Sequence, residues 1–136
     1  MSARWRDGCP AMSRAARCTA TGDVLDCRPY AGIVDYEPTE LVVTARCGTP
    51  LADLEALLES HGQWLAFEPP RFGSGNAGAT VGGMVAAGLS GPGRMAAGAV
   101  RDFVLGARLL HGQGRDLALG GQVMKNVAGY DVSRLV

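Results

Sequence analysis

The first ordered pattern in the chain is a pair of β-branched apolar segments separated by polar residues. Ile33–Tyr36 and Leu41–Arg46 each have the composition of a short strand, and Pro38 and Gly48 interrupt the chain after them. The sequence therefore predicts two strands close together, joined by a short polar turn.

The apolar period changes to that of a helix at residue 49. Thr49 is predicted to cap this helix, with Pro50 at its first position, where the missing N–H of proline costs nothing. His61–Gly62 is predicted to end it, because glycine adopts the left-handed conformation that closes many helices. The leucines of the apolar face are Leu51, Leu54, Leu57 and Leu58.

Shorter patterns fill the middle of the chain. Gln63–Phe67 predicts a third strand, which a pair of prolines ends shortly afterwards. Ala79–Gly88 consists of small residues and predicts a short, closely packed helix between two loops, at residues 71–78 and 89–98.

A β-hairpin is predicted near the end of the chain. Val100–Leu110 and Arg115–Leu119 are the candidate strands, and the turn at residues 111–114 contains two glycines. A loop and then a short helix from Asp131 are predicted to follow. The order of elements predicts an α+β (mixed α/β) fold rather than a series of βαβ units.

The N-terminal segment differs from the rest. Residues 1–22 show neither the period of a strand nor that of a helix, and are predicted to be disordered or to lie outside the fold. Residues 23–136 are then the domain.

Composition narrows the functions that such a fold can serve. Thirteen basic and thirteen acidic residues cancel, so the chain has no general attraction to nucleic acid. No apolar run approaches the roughly 20 residues of a membrane span, and the N-terminus lacks the apolar core of a signal peptide, so a cytoplasmic location is expected. The cysteines at positions 9, 18, 27 and 47 lack metal-ligand spacing and are expected to be free thiols.

Glycine is concentrated around the short helix in the second half of the chain. Thr80, followed by Gly82 and Gly83, brings a hydroxyl, unpaired N–H groups and the positive end of a helix dipole to one point, where a pyrophosphate can bind. A second glycine-containing loop, Gly88–Pro92, follows closely. The same glycines also suit elements that pack tightly against one another, and at this point both interpretations stand.

Two common nucleotide-binding motifs do not fit the sequence. The only lysine, Lys125, has no P-loop glycines before it. Gly73–Gly78 has the spacing G-x-G-x-x-G, but a proline pair precedes it and no long helix is predicted after it, so a Rossmann site is not expected.

Four segments, in order, carry a resemblance to a known family. Gly32–Arg46 resembles the second conserved block of the vanillyl-alcohol-oxidase type (PCMH-type) FAD-binding domain, and Ala79–Gly83 with Ala87–Pro92 resembles its pyrophosphate loop. Arg101–Gly106 looks like the strand that follows, and Val123–Asp131 is similar to the block before the last flavin-contacting turn. Within this family the amino-acid sequences of these segments are most similar to those of the FAD-binding subunits of glycolate oxidases.

The resemblance implies a two-lobed fold that holds FAD noncovalently between its lobes. The flavin of this family accepts a hydride equivalent from a small 2-hydroxy acid and passes electrons to an iron–sulfur partner subunit. The resemblance implies that the diphosphate is lined by Gly78, Ala79, Thr80, Val81, Gly82 and Gly83. It implies that a second loop covers the diphosphate with Ala87, Gly88, Ser90 and Gly91. The adenosine half would lie along Arg101, Asp102 and Val104, and the flavin beside Pro69 and Tyr130.

The chain departs from the family pattern at both ends. Residues 1–22 contain no R-G-G-G-[ST] loop, and the chain stops at Val136, where the family continues into a G-[ST]-x-G-T-L-G turn and a cap domain. The expectation is therefore a partial FAD-binding domain without the cap or substrate domain, and inactive when alone. Its expected partners are flavoprotein and iron–sulfur subunits, with association to the inner face of the membrane through them.

The residues do not assign a catalytic base. His61 and His111 are expected at the surface, whereas Arg94 and Arg101 either orient a substrate carboxylate or are ordinary solvated side chains. Two alternative functions therefore stand beside the first: a non-catalytic assembly module of such a complex, and a non-functional gene fragment.

Overall fold

The structure is a computed structural model that describes residues 4–5, 24–69, 71 and 78–121. Its strands pair two by two. The first pair is parallel and joins β1 (Arg4–Trp5) to β2 (Val24–Leu25). The expectation of disorder for residues 1–22 otherwise lies outside the described residues, as does the short helix predicted from Asp131.

The second pair confirms the two strands predicted at the start of the domain. β3 (Ile33–Glu37) and β4 (Val42–Ala45) are antiparallel, with Tyr36 opposite Val43 and an irregularity between Ile33 and Asp35. The turn between them is closed by Leu41, which donates its N–H to the Pro38 carbonyl at 3.4 Å and has a φ of 59°.

The predicted helix is present as α1 (Leu51–Ser60), and its C-terminal glycine, Gly62, has the expected left-handed φ of 68°. The prediction that Thr49 caps it is wrong, because Pro50 is the N-cap and no side chain caps the helix. The Thr49 hydroxyl instead lies 2.7 Å from the Arg46 carbonyl and accepts the N–H of Gly32 at 3.0 Å. These contacts fix the end of β4 against the start of β3.

The apolar core lies on one side of α1. Leu51, Leu54 and Leu58 are buried, as their helical spacing predicts. Residues from both neighbouring segments of the chain pack against these three leucines: Ile33, Tyr36, Val43, Leu65, Ala79, Val81 and Met84.

The prediction of a third strand at Gln63–Phe67 is wrong. No described strand pairs with this segment, which runs over the core as irregular chain and contributes Leu65 to it. Its backbone is bonded only near its ends, where Gln63 N–H reaches the Leu58 carbonyl and Glu68 N–H reaches Ser90. Aromatic composition favours a strand only where a partner strand is available.

The short helix predicted around residue 80 is confirmed as α2 (Val81–Ala87). The loop predicted after it contains one helical turn, α3 (Arg94–Ala97). Arg101–Gly106 was expected to be strand throughout, and this is wrong for its first half, which belongs to α4 (Val100–Phe103). The helical turn forms because Asp102 accepts the N–H of Ala99 at 2.9 Å and so satisfies the start of α4.

The predicted hairpin is confirmed. β5 (Gly106–Leu110) pairs antiparallel with β6 (Asp116–Gly120), and Gly114 has the positive φ (76°) that its turn requires. With helices and mostly antiparallel strand pairs, the domain has the expected α+β fold. In the described part of the chain, no helix has the length and apolar character needed to cross a membrane.

Candidate functional site

The start of α2 is the centre of the predicted site. Thr80 has an extended backbone and caps the helix, because its Oγ1 accepts the N–H of Gly83 at 3.1 Å. Gly88 ends the helix in the left-handed conformation, with a φ of 63°. The helix predicted over Ala79–Gly88 is therefore bounded by a capping threonine and a left-handed glycine.

The first N–H groups of α2 already have partners within the protein. Val81 N–H donates to the Thr49 carbonyl at 2.9 Å, and Gly82 N–H donates to the Cys47 carbonyl at 2.8 Å. Gly83 N–H is bonded to Thr80, as described above. The expectation that these groups are unpaired is wrong, because the segment before α1 provides acceptors for Val81 and Gly82 and the Thr80 side chain provides one for Gly83.

Gly82 is needed for close packing. A β-carbon built on Gly82 lies 2.7 Å from the Cys47 β-carbon and 2.9 Å from the Cys47 carbonyl oxygen. Of the two interpretations of this glycine, the structure supports the approach of two protein segments to each other.

The edge of the same turn has donors that face away from this contact. Pro50 and Thr80 form an antiparallel bridge, flanked by the bonds Leu51 N–H to Ala79 carbonyl (2.9 Å) and Val81 N–H to Thr49 carbonyl. In such a bridge the N–H of the central residue points outwards. Among the described residues, the N–H groups of Ala79 and Thr80 have no hydrogen-bond partner, although Thr80 is buried.

An unpartnered N–H in a buried residue is the kind of group that a ligand oxygen satisfies. Ala79 is half-buried and Gly78 is exposed, so this edge opens towards the surface. The arrangement fits an anionic oxygen beside Ala79 and Thr80 rather than at the helical N–H groups of residues 81–83.

The second predicted loop is built around Ser90. This residue is buried, its Oγ accepts the N–H of Val100 at 2.9 Å, and its carbonyl accepts the N–H of Glu68 at 3.2 Å. Gly91 has a φ of 72°, and a β-carbon there would lie 2.6 Å from the Glu68 β-carbon. The absence of a side chain at Gly91 is therefore explained by close packing against the segment that contains Glu68. Pro69, the residue after Glu68, lies beside this loop.

The residues predicted for the adenosine half lie at α4. Asp102 is engaged as the acceptor for Ala99, whereas the guanidinium of Arg101 is exposed and makes no ion pair within the described residues. Val104 is half-buried at the end of α4. The rings of Phe67 and Phe103, 5.4 Å apart, join this region to the segment before Pro69.

The predicted residues thus fall into two groups. The Thr80 group contains Gly78 to Gly83, and the Ser90 group contains Pro69, Ser90, Gly91 and the residues of α4. No hydrogen bond within the described residues joins the two groups. They are connected along the chain by α2, which ends at Ala87 and its cap, Gly88. Tyr130 lies outside the described residues.

Gly48, which the sequence predicts only as the end of a strand, has a packing role that the structure adds. Gly48 is buried, and a β-carbon there would lie 2.1 Å from the Cys27 carbonyl oxygen and 2.8 Å from that of Tyr30. Gly48 lets the Cys47–Thr49 segment approach the preceding turn and hold the start of α2. Its position between a strand and a proline-initiated helix was the available signal.

The shifted ionisable groups lie away from both groups of residues. The hydrogen-bonded Arg28 guanidinium, 2.6 Å from the Asp26 carboxylate, lowers the pKa of Asp26 to about 2. The hydrogen bond to Asp116 raises the pKa of Arg108.

His61 and His111 are exposed, as expected, and the described residues hold no group of three or more metal ligands. Cys47 is a free thiol and forms no disulfide with Cys27, whereas the other two cysteines lie outside the described residues.

Comparison with known families identifies the class of protein that this fold and this turn define. The FAD binding domain family matches residues 10–120, and the chain belongs to that family. FAD is therefore the cofactor of this domain.

Individual proteins that are similar to this chain include subunits of glycolate oxidase and a D-lactate dehydrogenase. The chain is 61% identical over 116 residues to glycolate oxidase subunit GlcE of Escherichia coli (strain K12), which is 85% of this chain and 32% of the relative. It is 31% identical over 117 residues to glycolate oxidase subunit GlcD of Bacillus subtilis (strain 168), 86% of this chain and 24% of the relative. It is 30% identical over 131 residues to D-lactate dehydrogenase of Archaeoglobus fulgidus, 96% of this chain and 28% of the relative. The chain spans about a third or less of the length of these curated relatives.

Proposed function

We propose that this chain is the FAD-binding portion of a subunit of a flavin-dependent oxidase or dehydrogenase that acts on small 2-hydroxy acids. The observation that carries the proposal is the 61% identity to a glycolate oxidase subunit over 116 residues. The relative from Archaeoglobus fulgidus, named a D-lactate dehydrogenase, supports the same substrate class, because glycolate and lactate are both 2-hydroxy acids.

The proposed role of the Thr80 turn is to hold the pyrophosphate of FAD. The outward N–H of Thr80 donates to a pyrophosphate oxygen, and the exposed Gly78 leaves room for the pyrophosphate to approach. Val81, Gly82 and Gly83 contribute indirectly, since their bonds to Thr49, Cys47 and Thr80 fix the turn in place.

The Ser90 group is proposed to lie along the rest of the nucleotide. Arg101 is the cation for the phosphate or the adenosine end, because its guanidinium is exposed and makes no ion pair within the described residues. Ser90 and Asp102 hold α4 in position, and Pro69 approaches the flavin, as does Tyr130 by resemblance. The bound flavin supplies the electron acceptance that the side chains cannot.

The remaining proposals concern the surroundings of the domain. Two of the relatives are named as subunits of glycolate oxidase, which supports a place for this chain in a multi-subunit assembly. Its flavoprotein and iron–sulfur partners are proposed from the family resemblance. We place this assembly in the cytoplasm, at the inner face of the membrane through its partners.

The proposal is tested by titrating the purified chain with FAD and following the quenching of flavin fluorescence. Saturable binding is expected, and Arg101→Ala should weaken it about tenfold, in line with the loss of one charge-assisted hydrogen bond. Arg115→Ala is the matched control, because Arg115 is an exposed arginine in the β5–β6 turn, remote in sequence from the predicted nucleotide residues. Its affinity for FAD should be unchanged.

A thermal melt of each variant without FAD separates cofactor binding from folding. Wild-type chain that melts cooperatively but does not quench flavin fluorescence would contradict the proposal. Equal losses of affinity in Arg101→Ala and Arg115→Ala would contradict the assignment of Arg101 while leaving FAD binding itself intact.

A further inference from the structure

Two large apolar side chains are exposed on segments that a hydrogen bond holds together, Leu41 in the β3–β4 turn and Trp64 in the irregular segment after α1. Trp64 is 82% exposed and Leu41 is 76% exposed. Their neighbours Tyr36 and Leu65 pack on the α1 core, so the exposed pair lies at the border of an ordered apolar region.

A shared hydrogen-bond acceptor holds the two residues at the same edge. The Pro38 carbonyl accepts the N–H of Leu41 at 3.4 Å and the side-chain Nε2 of Gln63 at 2.9 Å. The other end of the Gln63 amide accepts the hydroxyl of Tyr36 at 2.8 Å. Gln63 therefore fixes the segment that carries Trp64 against the turn that carries Leu41.

The side chain of Leu41 does not serve the fold, although its N–H closes the β3–β4 turn. Its φ of 59° lies in the left-handed region, which glycine and asparagine adopt more readily than leucine. Its side chain is mostly in solvent, so burial does not offset this disadvantage. A costly backbone position that presents an apolar side chain to solvent indicates a role in contact with another molecule.

The surface around this pair is acidic. Residues 29–45 contain Asp35, Glu37 and Glu40 and no lysine, arginine or histidine. All three carboxylates belong to exposed residues, and the next cation, Arg46, lies beyond the far end of β4, over the ring of Tyr30 at 5.1 Å. Charge complementarity therefore selects a basic partner.

We propose that Leu41 and Trp64, the Leu41–Trp64 patch, form a docking surface for a partner polypeptide whose contacting segment presents apolar side chains flanked by lysine or arginine. Exposed aromatic and aliphatic anchors with a polar rim have the composition of a protein-binding site. This inference does not depend on FAD binding.

The test uses the 136-residue chain with Trp5→Phe, in which Trp64 is the only tryptophan. The probe is an 18-residue peptide of leucine and lysine with leucines at helical spacing. Its saturable binding should shift the Trp64 emission to shorter wavelength as the indole leaves water. A matched peptide with glutamate in place of lysine should not bind.

Leu41→Gly is the decisive variant, because glycine suits the backbone of position 41 and the melting temperature should not fall. It should weaken peptide binding at least about tenfold, which is typical of the loss of an interface anchor. Met95→Gln is the matched control: Met95 is 97% exposed beside Arg94, and this variant should bind as the unsubstituted chain does.

Four outcomes would overturn the proposal. These are no saturable binding of the lysine peptide, equal binding of the glutamate peptide, unchanged binding in Leu41→Gly, and the same emission shift with phosphatidylcholine vesicles alone, which would indicate a membrane surface. A sedimentation mass that doubles with concentration and returns to that of one chain in Leu41→Gly would instead assign the patch to a second copy. FAD titration of the same variants is a separate measurement, so failure here is distinguishable from failure of flavin binding.

Discussion

The N–H of Gly82 donates to the carbonyl oxygen of Cys47 at 2.8 Å, at the point where a pyrophosphate was expected. The start of α2 is thus held by the segment between β4 and α1, which fixes the turn before any cofactor binds. Substitution of Gly82 is consequently a test of folding, and loss of FAD binding in such a variant does not locate the pyrophosphate.

Gly82→Ala is expected to destabilise the chain without FAD. Its β-carbon meets Cys47 at 2.7 Å, and forcing an atom into such a contact typically costs about 1–3 kcal/mol. The measurement is the free energy of unfolding in urea. Gly93→Ala is the control, because the nearest atom is the Glu68 carboxylate at an ordinary 3.5 Å; equal stability of the two variants would contradict the packing role.

Gly48→Ala should have a larger effect than Gly82→Ala. The new atom would lie 2.1 Å from the backbone oxygen of Cys27, and two further carbonyl oxygens are within 2.8 Å. We expect a loss of more than about 3 kcal/mol, or no cooperative transition at all. Gly62→Ala meets nothing within 4 Å and should lose only about 1–2 kcal/mol, from its left-handed backbone. A Gly48→Ala variant as stable as Gly62→Ala would refute the close approach of the two turns.

Ser90→Ala should unfold more easily because it removes the acceptor for the Val100 N–H. Both residues are buried, so the N–H is left unpaired at a cost of about 1–3 kcal/mol. Ser60→Ala is the comparison, since the Ser60 hydroxyl is exposed and bonds only at the end of α1. Chemical denaturation compares the two, and the prediction fails if Ser60→Ala is the more damaging.

The carboxylate of Asp26 should remain ionised to unusually low pH. Its pKa in the folded chain is about 2, below the ordinary 3.8, because of the hydrogen bonds from Arg28. A depressed pKa means that the stabilisation is fully present above pH 3.8 and is lost as the pH falls through about 2. Carboxyl NMR titration measures the pKa directly. In Arg28→Gln it should return towards the ordinary value, and an unchanged pKa would exclude the pair as its cause.

Periodicity predicted the elements whose formation is decided locally. The alternating and helical patterns of β3, β4, α1 and β6 are each complete within a short stretch of chain, so their positions were predicted to within one or two residues, whereas β5 begins six residues after the predicted Val100. The short helix over Ala79–Gly88 was also predicted, whereas the capping role of Thr80 came from the structure.

The predictions that were wrong concern structural features that depend on residues distant in the sequence. Gln63–Phe67 has the composition of a strand, but no described strand lies beside it, and α4 replaces a predicted strand because Ser90 and Asp102 satisfy its first N–H groups. The roles of Gly82 and Gly91 were likewise undecidable from sequence. A missing β-carbon does not say whether a ligand or another part of the chain occupies its place.

The bridge between Pro50 and Thr80 has a consequence for the order in which the domain assembles. Its two hydrogen bonds, at Leu51 and Val81, close a loop that contains the whole of α1. Closing so long a loop loses chain entropy before any contact compensates, so we expect the bridge to form after the local hairpin β5–β6 and the first turns of α1. The outward N–H of Thr80 is therefore in place only after this closure, and under the proposed role of this turn we expect FAD to bind after that step.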